Sequence, residues 1–300
     1  MLLNEVENIN LQAFNEKYPF KQTIQISVSE LKEQLLTGHL RYVWLPACPR
    51  ANRTTAVYKW YQLDKYINEH HLSPYYQLGE NWVFDRTDSH FSEGSIQKYF
   101  PEEIRATQPF LYNEKTQTVI TNDTYHMSML MAEIMDEAEV YEGESLFPKE
   151  HRKMLQKWNA WLYEHVNLKI YQVAGKKGQE KAVGINELEE TYELLNDYLA
   201  NNHYLWAGQL TETDLRLFNN LIRHQLYVDQ FGVFYKALTE FTHLNAYVQY
   251  LLAEHPVLKE NTHWEEIQKT HFRSEHNIKK YGFVEEVPSI DSLFPFLENK

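Results

Sequence analysis

One cysteine, Cys48, serves a chain of 300 residues. No intramolecular disulfide can form, and no pair of thiols can cycle as a redox couple. Long apolar runs are also missing: nothing approaches the roughly 18 residues that span a bilayer, and the acidic opening MLLNEVENIN does not read as secretory. Positive charge is scarce, with 29 Lys and Arg against 42 Asp and Glu and a net charge of -13. Such a surface repels phosphate backbones and anionic lipid heads, so neither a nucleic-acid nor a membrane partner is expected, and the expected compartment is the cytoplasm. No H-E-x-x-H, G-x-S-x-G, G-x-G-x-x-G or phosphate-loop motif occurs, and His70 and His71 are adjacent instead of spaced as a ligand pair on one helix face. Metalloenzyme, serine hydrolase and nucleotide-binding readings lose their support, and no bound metal is expected. There is no internal repeat and no low-complexity segment.

The length allows two domains of about 100–200 residues each. Aromatic residues are plentiful, which suits flat-walled pockets and aromatic cores equally. From Arg41, RYVWLPA reads as a short strand that stops at Pro46. A helix follows in TTAVYKWYQLDKYI, with Val57, Trp60 and Tyr61 at i, i+3 and i+4 and polar residues on the opposite face. NWVFD, residues 81–85, reads as a second strand. Phe110 to Tyr112 and Thr118 to Thr121, separated by the turn-forming NEKT, read as a hairpin, and YHMSMLMAEIMDEA reads as a helix. Strand, helix, strand, hairpin, helix is the order of a thioredoxin-like α/β domain. VYEGESLFPKE, with its Gly, Pro and charges, reads as a linker. Beyond it the pattern is helical: Leu188, Tyr192, Leu195 and Leu199 form a stripe, and Thr211 and Asp214 have capping-box spacing. The expected domains are an N-terminal extension (1–37), a thioredoxin-like domain (38–140), a linker (141–152) and an all-α domain (153–300). The extension is expected to wrap the thioredoxin-like domain, with Phe14, Tyr18 and Phe20 as anchors.

Cys48 lies after a strand and at the first turn of a helix, where unpaired N–H groups and the helix dipole stabilise negative charge. Pro49 suits that turn because it lacks an N–H, and Arg50 and Arg53 add positive charge nearby. A small packed cysteine is the competing reading, and these neighbours favour the reactive one. Ala51 stands where a C-x-x-C partner would be, so any disulfide at Cys48 must be with another molecule.

CPRANR, NWVFD, VITNDT, LTETDLRLF and HFRSEHNIKKYG together resemble the glutathionyl-hydroquinone reductases, the Xi class of glutathione transferases, over about residues 38–285. The resemblance implies a glutathione transferase fold: a thioredoxin-like domain holding glutathione as co-substrate, and an all-α domain walling in an aromatic, quinol-type substrate. It also implies a homodimer. Cys48 matches the family's nucleophile, although Arg50 and Asn52 replace its usual Trp and His. Trp82 matches the residue flanking glutathione, with a core aromatic as the alternative. Arg105 matches an arginine in the strand leading to a cis-proline, which is Pro109 here, and the backbone of Gln108 would pair with the cysteinyl part of the tripeptide. Asp123 and Thr124 replace a Glu-Ser pair that holds the γ-glutamyl end, and both also suit helix caps. Tyr171 matches a tyrosine that hydrogen-bonds or protonates the substrate, Tyr227 is a candidate wall residue, and His271 stands where a second tyrosine falls. The activity implied is reduction of S-glutathionyl-hydroquinones through a mixed disulfide. The alternatives are a non-catalytic binding module of the same fold, or the same chemistry with another low-molecular-weight thiol.

Overall fold

The computed structural model describes residues 1–18, 23–75, 82–84, 88, 90–91 and 94–297. Along the chain run α1 (Leu2–Glu7), α2 (Leu11–Lys17), α3 (Val28–Leu35), β1 (Leu40–Trp44), α4 (Pro49–Trp60), β2 (Asn68–His71), β3 (Phe110–Asn113), β4 (Thr118–Thr121) and α5 (Met127–Ala138). Helices then follow one another: α6 (Arg152–Leu162), α7 (Leu168–Ala174), α8 (Gly178–Leu199), α9 (Glu212–Leu221) and α10 (His224–Leu226). After these come α11 (Thr242–Glu254), α12 (Pro256–Asn261), α13 (Trp264–Arg273), α14 (Glu275–Tyr281) and α15 (Ile290–Leu293). The chain divides into two compact units, one of residues 19–145 and 260–287 and the other of residues 1–18, 146–259 and 288–300.

The first unit is built on a four-stranded mixed sheet in the order β2-β1-β3-β4. β1 pairs parallel to β2 and antiparallel to β3, and β3 pairs antiparallel to β4. β1 is an inner strand, and its successive Tyr42, Val43 and Trp44 are all buried, as a strand covered on both faces requires. Its link to α4 is polar: the Tyr42 hydroxyl lies 3.1 Å from Thr55 Oγ1 and donates to the Ala51 carbonyl at 3.3 Å.

Two local expectations change. The second strand of the sheet is Asn68–His71, a polar NEHH segment, whereas Val83 and Phe84 of NWVFD make only isolated bridges to Ser95 and Leu72. Asn81 and Asp85 of that segment lie outside the described residues. An edge strand needs no apolar alternation when its register is set by a neighbour such as β1. The polar face of α4 is also not turned to solvent, since Ala51 to Tyr58 are all buried. Thr54 and Thr55 are accommodated by donating back to the Arg50 and Ala51 carbonyls, at 3.2 and 2.9 Å.

Residues 260–287 pack in this same unit. Asn261 Nδ2 donates to the Asn52 carbonyl at 3.2 Å, Thr270 Oγ1 donates to the Pro74 carbonyl at 2.7 Å, and the His263 ring meets Trp44 edge-on at 5.2 Å.

The second unit is helical. The stripe of Leu188, Tyr192, Leu195 and Leu199 is buried along α8, as its spacing predicts. α9 opens with the expected capping box between Thr211 and Asp214, both fully buried. Glu212, in the first turn of α9, accepts from Asn159 Nδ2 at 2.7 Å and Arg216 Nε at 2.9 Å, a buried ion pair with an added donor. The N-terminal residues 1–18 belong to this unit. Leu2, Val6 and Phe14 are buried, the Phe14 and Tyr18 rings pack edge-on against Tyr163, and the Tyr18 hydroxyl donates to Glu164 at 3.0 Å. Those apolar side chains find their cover on helical partners, which corrects the expectation for residues 1–18. Residues 23–37 of the extension do pack with the sheet unit: Ile24 N donates to Asn122 Oδ1 at 2.7 Å, Thr121 Oγ1 donates to the Ile24 carbonyl at 2.7 Å and Asn113 Nδ2 donates to Gln34 Oε1 at 2.8 Å. Phe20 lies outside the described residues.

Candidate active site

Cys48 is positioned by the way β1 ends. After Trp44 the chain turns, the Cys48 N–H donates to the Leu45 carbonyl at 3.0 Å, and Cys48 becomes the N-cap of α4 with φ -80° and ψ 125°. Its carbonyl accepts the first helical hydrogen bond, from Asn52 N at 2.9 Å, and Pro49 fills the first helical position. The thiol makes no capping hydrogen bond and is half-buried, so solvent reaches it beside the unpaired N–H groups of the first turn.

Two connections draw other predicted residues towards this turn. The Leu45 N–H donates to Gln108 Oε1 at 3.2 Å, and the Gln108–Pro109 peptide is cis, as the resemblance implies. The buried Arg53 then joins α4 to the start of α5: its Nε donates to Ser128 Oγ at 3.1 Å and its Nη2 to the Thr124 carbonyl.

Asp123 is almost fully buried just ahead of α5. Its Oδ1 accepts from the Tyr125 and His126 N–H groups at 3.1 and 3.2 Å, and its Oδ2 accepts from His126 Nδ1 at 2.7 Å. The carboxylate therefore folds the turn that leads into α5, whose N-cap is His126. His126 was not anticipated from sequence, yet the Asp-x-x-His spacing at a helix start carries the signal for it.

Trp82 is half-buried, and its carbonyl accepts from Ile96 N at 2.9 Å. Arg105 is exposed and lies in an irregular segment, not in a strand, since β3 begins at Phe110. Gln97 explains this: its side chain donates to the Ile104 carbonyl at 3.0 Å and accepts from Ala106 N at 2.9 Å, taking backbone groups a ladder would need. His271 is buried on α13, in the same unit as Cys48.

Tyr171 and Tyr227 belong to the helical unit. Tyr171 is exposed on α7 while Tyr227 is fully buried, with its hydroxyl 3.4 Å from Asn220 Oδ1. Their rings both approach Phe231, at 6.2 and 5.5 Å. Burial above all, and then the adjacent Tyr171, holds the Tyr227 phenol well above the usual tyrosine range. Among the described residues no group of three or more His, Cys, Asp or Glu is arranged to hold a metal ion, and no helix is long and apolar enough to cross a membrane.

No family model matches the chain. It is 25% identical over 251 residues to the glutathionyl-hydroquinone reductase YqjG of Escherichia coli, covering 79% of this chain and 76% of that one. Its fold is similar to the glutathione transferase Xi of Phanerochaete chrysosporium, with a TM-score of 0.75 and 23% identity over 84% of this chain and 91% of that one. It is equally similar, at a TM-score of 0.75 and 22% identity over 87% and 89% of the two chains, to the glutathione-bound structure of YqjG. The chain thus has the glutathione transferase fold and is a distant relative of the glutathionyl-hydroquinone reductases, the Xi-class glutathione transferases.

Proposed function

We propose that this chain is a thiol-dependent reductase that removes the glutathionyl group from S-glutathionyl-hydroquinones. One observation carries the reading: the half-buried Cys48 caps α4 beside a loop joined through Leu45 and Gln108 to a cis-proline, in a fold shared with a glutathione-bound relative. The sheet unit then holds glutathione, with Trp82, Arg105, Gln108, Pro109, Asp123 and Thr124 along it. Tyr171 and His271 serve the aromatic substrate, whereas Tyr227, fully buried, packs behind Phe231 and is dropped as a wall residue.

In the first step the Cys48 thiolate attacks the glutathionyl sulfur, the carbon–sulfur bond breaks, and the ring carbon keeps the electron pair and takes a proton from Tyr171 or water. This leaves hydroquinone and a Cys48–glutathione disulfide. A second glutathione thiolate attacks that disulfide, giving glutathione disulfide and restoring the Cys48 thiolate. The thioether sulfur and the sulfur of the one added glutathione together give up two electrons in becoming the disulfide, and the ring carbon gains them in exchanging sulfur for hydrogen, so the electrons balance with Cys48 unchanged. Cytoplasmic, homodimeric operation follows the family pattern.

The test is intact mass after brief mixing of the reduced protein with stoichiometric glutathionyl-hydroquinone, followed by peptide mapping. A glutathione adduct on Cys48 with free hydroquinone is the expected result. An unmodified thiol, or turnover retained by Cys48→Ser, would overturn the mechanism.

A further inference from the structure

The turn that carries Cys48 is bracketed by two side chains from the junction of α12 and α13. Ahead of the thiol, β1 ends at the buried Trp44, whose indole meets the His263 ring edge-on at 5.2 Å and the His71 ring edge-on at 4.9 Å. The indole is fixed by its Nε1, which donates to Glu69 Oε2 at 3.1 Å. After the thiol, the first turn of α4 presents the Asn52 carbonyl, which accepts from Asn261 Nδ2 at 3.2 Å. Asn52 N in turn donates to the Cys48 carbonyl at 2.9 Å, and Cys48 N donates to the Leu45 carbonyl at 3.0 Å. Asn261 and His263 therefore touch the two ends of one short stretch, Trp44 to Asn52, with the sulfur between them. Both belong to the same unit as Cys48.

Packing alone does not favour an asparagine at 261. The residue is 5% exposed, and among the described residues its Oδ1 has no hydrogen-bond partner. The opposite amide orientation would set that oxygen against the Asn52 carbonyl, so the unpaired acceptor comes with the Nδ2 donation. A buried acceptor left unpaired costs about 1–3 kcal/mol, against roughly 1 kcal/mol from one hydrogen bond. What the amide adds is a fixed distance to the turn that holds the thiol.

Resting on the thiol-dependent reading above, we propose that Asn261 and His263 are positioning residues for Cys48. They clamp the strand end before the sulfur and the helix turn after it, and so fix the line along which the thiolate meets the glutathionyl sulfur. Misplacing a reacting group by about 1 Å can lower a rate about a hundredfold.

The test is the first half-reaction with glutathionyl-hydroquinone, in which the Cys48–sulfur bond forms as the carbon–sulfur bond breaks. It is followed by intact mass under single turnover at increasing substrate concentration. The plateau rate reads the chemical step, and the half-saturating concentration reads binding. Alkylation by iodoacetamide is run beside it, because a small free reagent follows the sulfur wherever it lies. Asn261→Leu removes the donor and the unpaired oxygen together, so its urea midpoint is expected to stay at or above the wild-type value while the plateau rate falls by about tenfold or more. His263→Ala is expected to lower the plateau rate by a similar factor. His263→Phe keeps a ring against Trp44 and is expected to recover to within about threefold of wild type. In all three variants the half-saturating concentration and the alkylation rate are expected to stay within about twofold of wild type.

A plateau rate unchanged in either folded variant, Asn261→Leu or His263→Ala, would overturn the inference and leave the reductase reading intact. So would an equal fall in the plateau and alkylation rates, which would mean a weaker thiol and not a misplaced one. Absence of any adduct in the wild-type protein, while iodoacetamide alkylates Cys48, would overturn the reductase reading and this inference together. Asn261→Leu loses an unpaired buried group and keeps its fold by the same reasoning, so it decides the inference even where His263→Ala does not fold.

Discussion

The Tyr247 hydroxyl donates to Asp214 at 2.8 Å across a sequence separation of 33 residues, inside the helical unit where both are buried. Asp214 also accepts from Leu205 N at 2.8 Å, Thr211 N at 2.9 Å and Thr211 Oγ1 at 2.7 Å, so one carboxylate joins a helix cap, a loop and α11. Asparagine would turn an NH₂ group towards some of these donors. Asp214→Asn is expected to cost about 3 kcal/mol and Tyr247→Phe about 1 kcal/mol in urea unfolding at pH 7.

The same carboxylate sets a pH dependence. Burial raises its pKa to about 6, against the pull of its hydrogen bonds. A folded pKa above the unfolded one means that the stabilisation is present below the unfolded value near 3.8 and is lost as pH rises through about 6. The stability gap between wild type and Asp214→Asn is therefore expected to widen as the pH is lowered from 7 to 4.5.

His224 acts in the opposite sense. It is buried in an aromatic cluster, 4.3 Å from Phe234 between ring centroids, and burial lowers its pKa to about 4 although its Nε2 donates to the Lys236 carbonyl at 2.8 Å. A histidine that folds neutral is stabilising above its unfolded pKa of 6.5, and the contribution is lost as pH falls towards 4, by roughly 3 kcal/mol in all. His224→Phe removes this loss. Its stability relative to wild type is expected to improve steadily between pH 6.5 and 4 in denaturant titrations.

Cys48 separates chemistry from packing. Its thiol makes no cap hydrogen bond, whereas serine is among the preferred N-cap residues. Cys48→Ser is expected to raise the melting temperature or leave it unchanged while abolishing adduct formation. A large loss of stability would point to a packing role for the sulfur.

Arg53 holds the starts of α4 and α5 through two different nitrogens of one planar group, which an ammonium cannot reproduce. Arg53→Lys is expected to cost about 2 kcal/mol in urea unfolding, since Ser128 Oγ and the Thr124 carbonyl cannot both keep their donor.

Much of the scaffold is legible in the sequence because its signals are local. β1 and the β3–β4 hairpin are apolar runs around turn residues, α8 carries a clean stripe, and the Thr211–Asp214 spacing specifies its own cap. β2 escapes because NEHH gains its place from the register with β1, from Arg41 opposite Asn68 to Trp44 opposite His71. The placement of residues 260–287 beside the sheet escapes for a similar reason: Asn261 to the Asn52 carbonyl and Thr270 to the Pro74 carbonyl are bonds to backbone, which any sequence presents. At the candidate site, the turn at Cys48 is legible from its neighbours, while the cis bond before Pro109 comes from the family resemblance alone. The capture of Asp123 by His126 has the local Asp-x-x-His spacing as its one signal, which hydrophobic periodicity does not record.

The two units are interleaved along the chain, with passages between them at residues 18/19, 145/146, 259/260 and 287/288. A ribosome releases the chain from its N-terminus, so the sheet unit remains without α13 and α14 until the polypeptide is nearly finished. Neither unit exists as one uninterrupted stretch that could be expressed as a fragment. During synthesis, the turn that carries Cys48 gains its partner Asn261 more than two hundred residues after it leaves the exit tunnel.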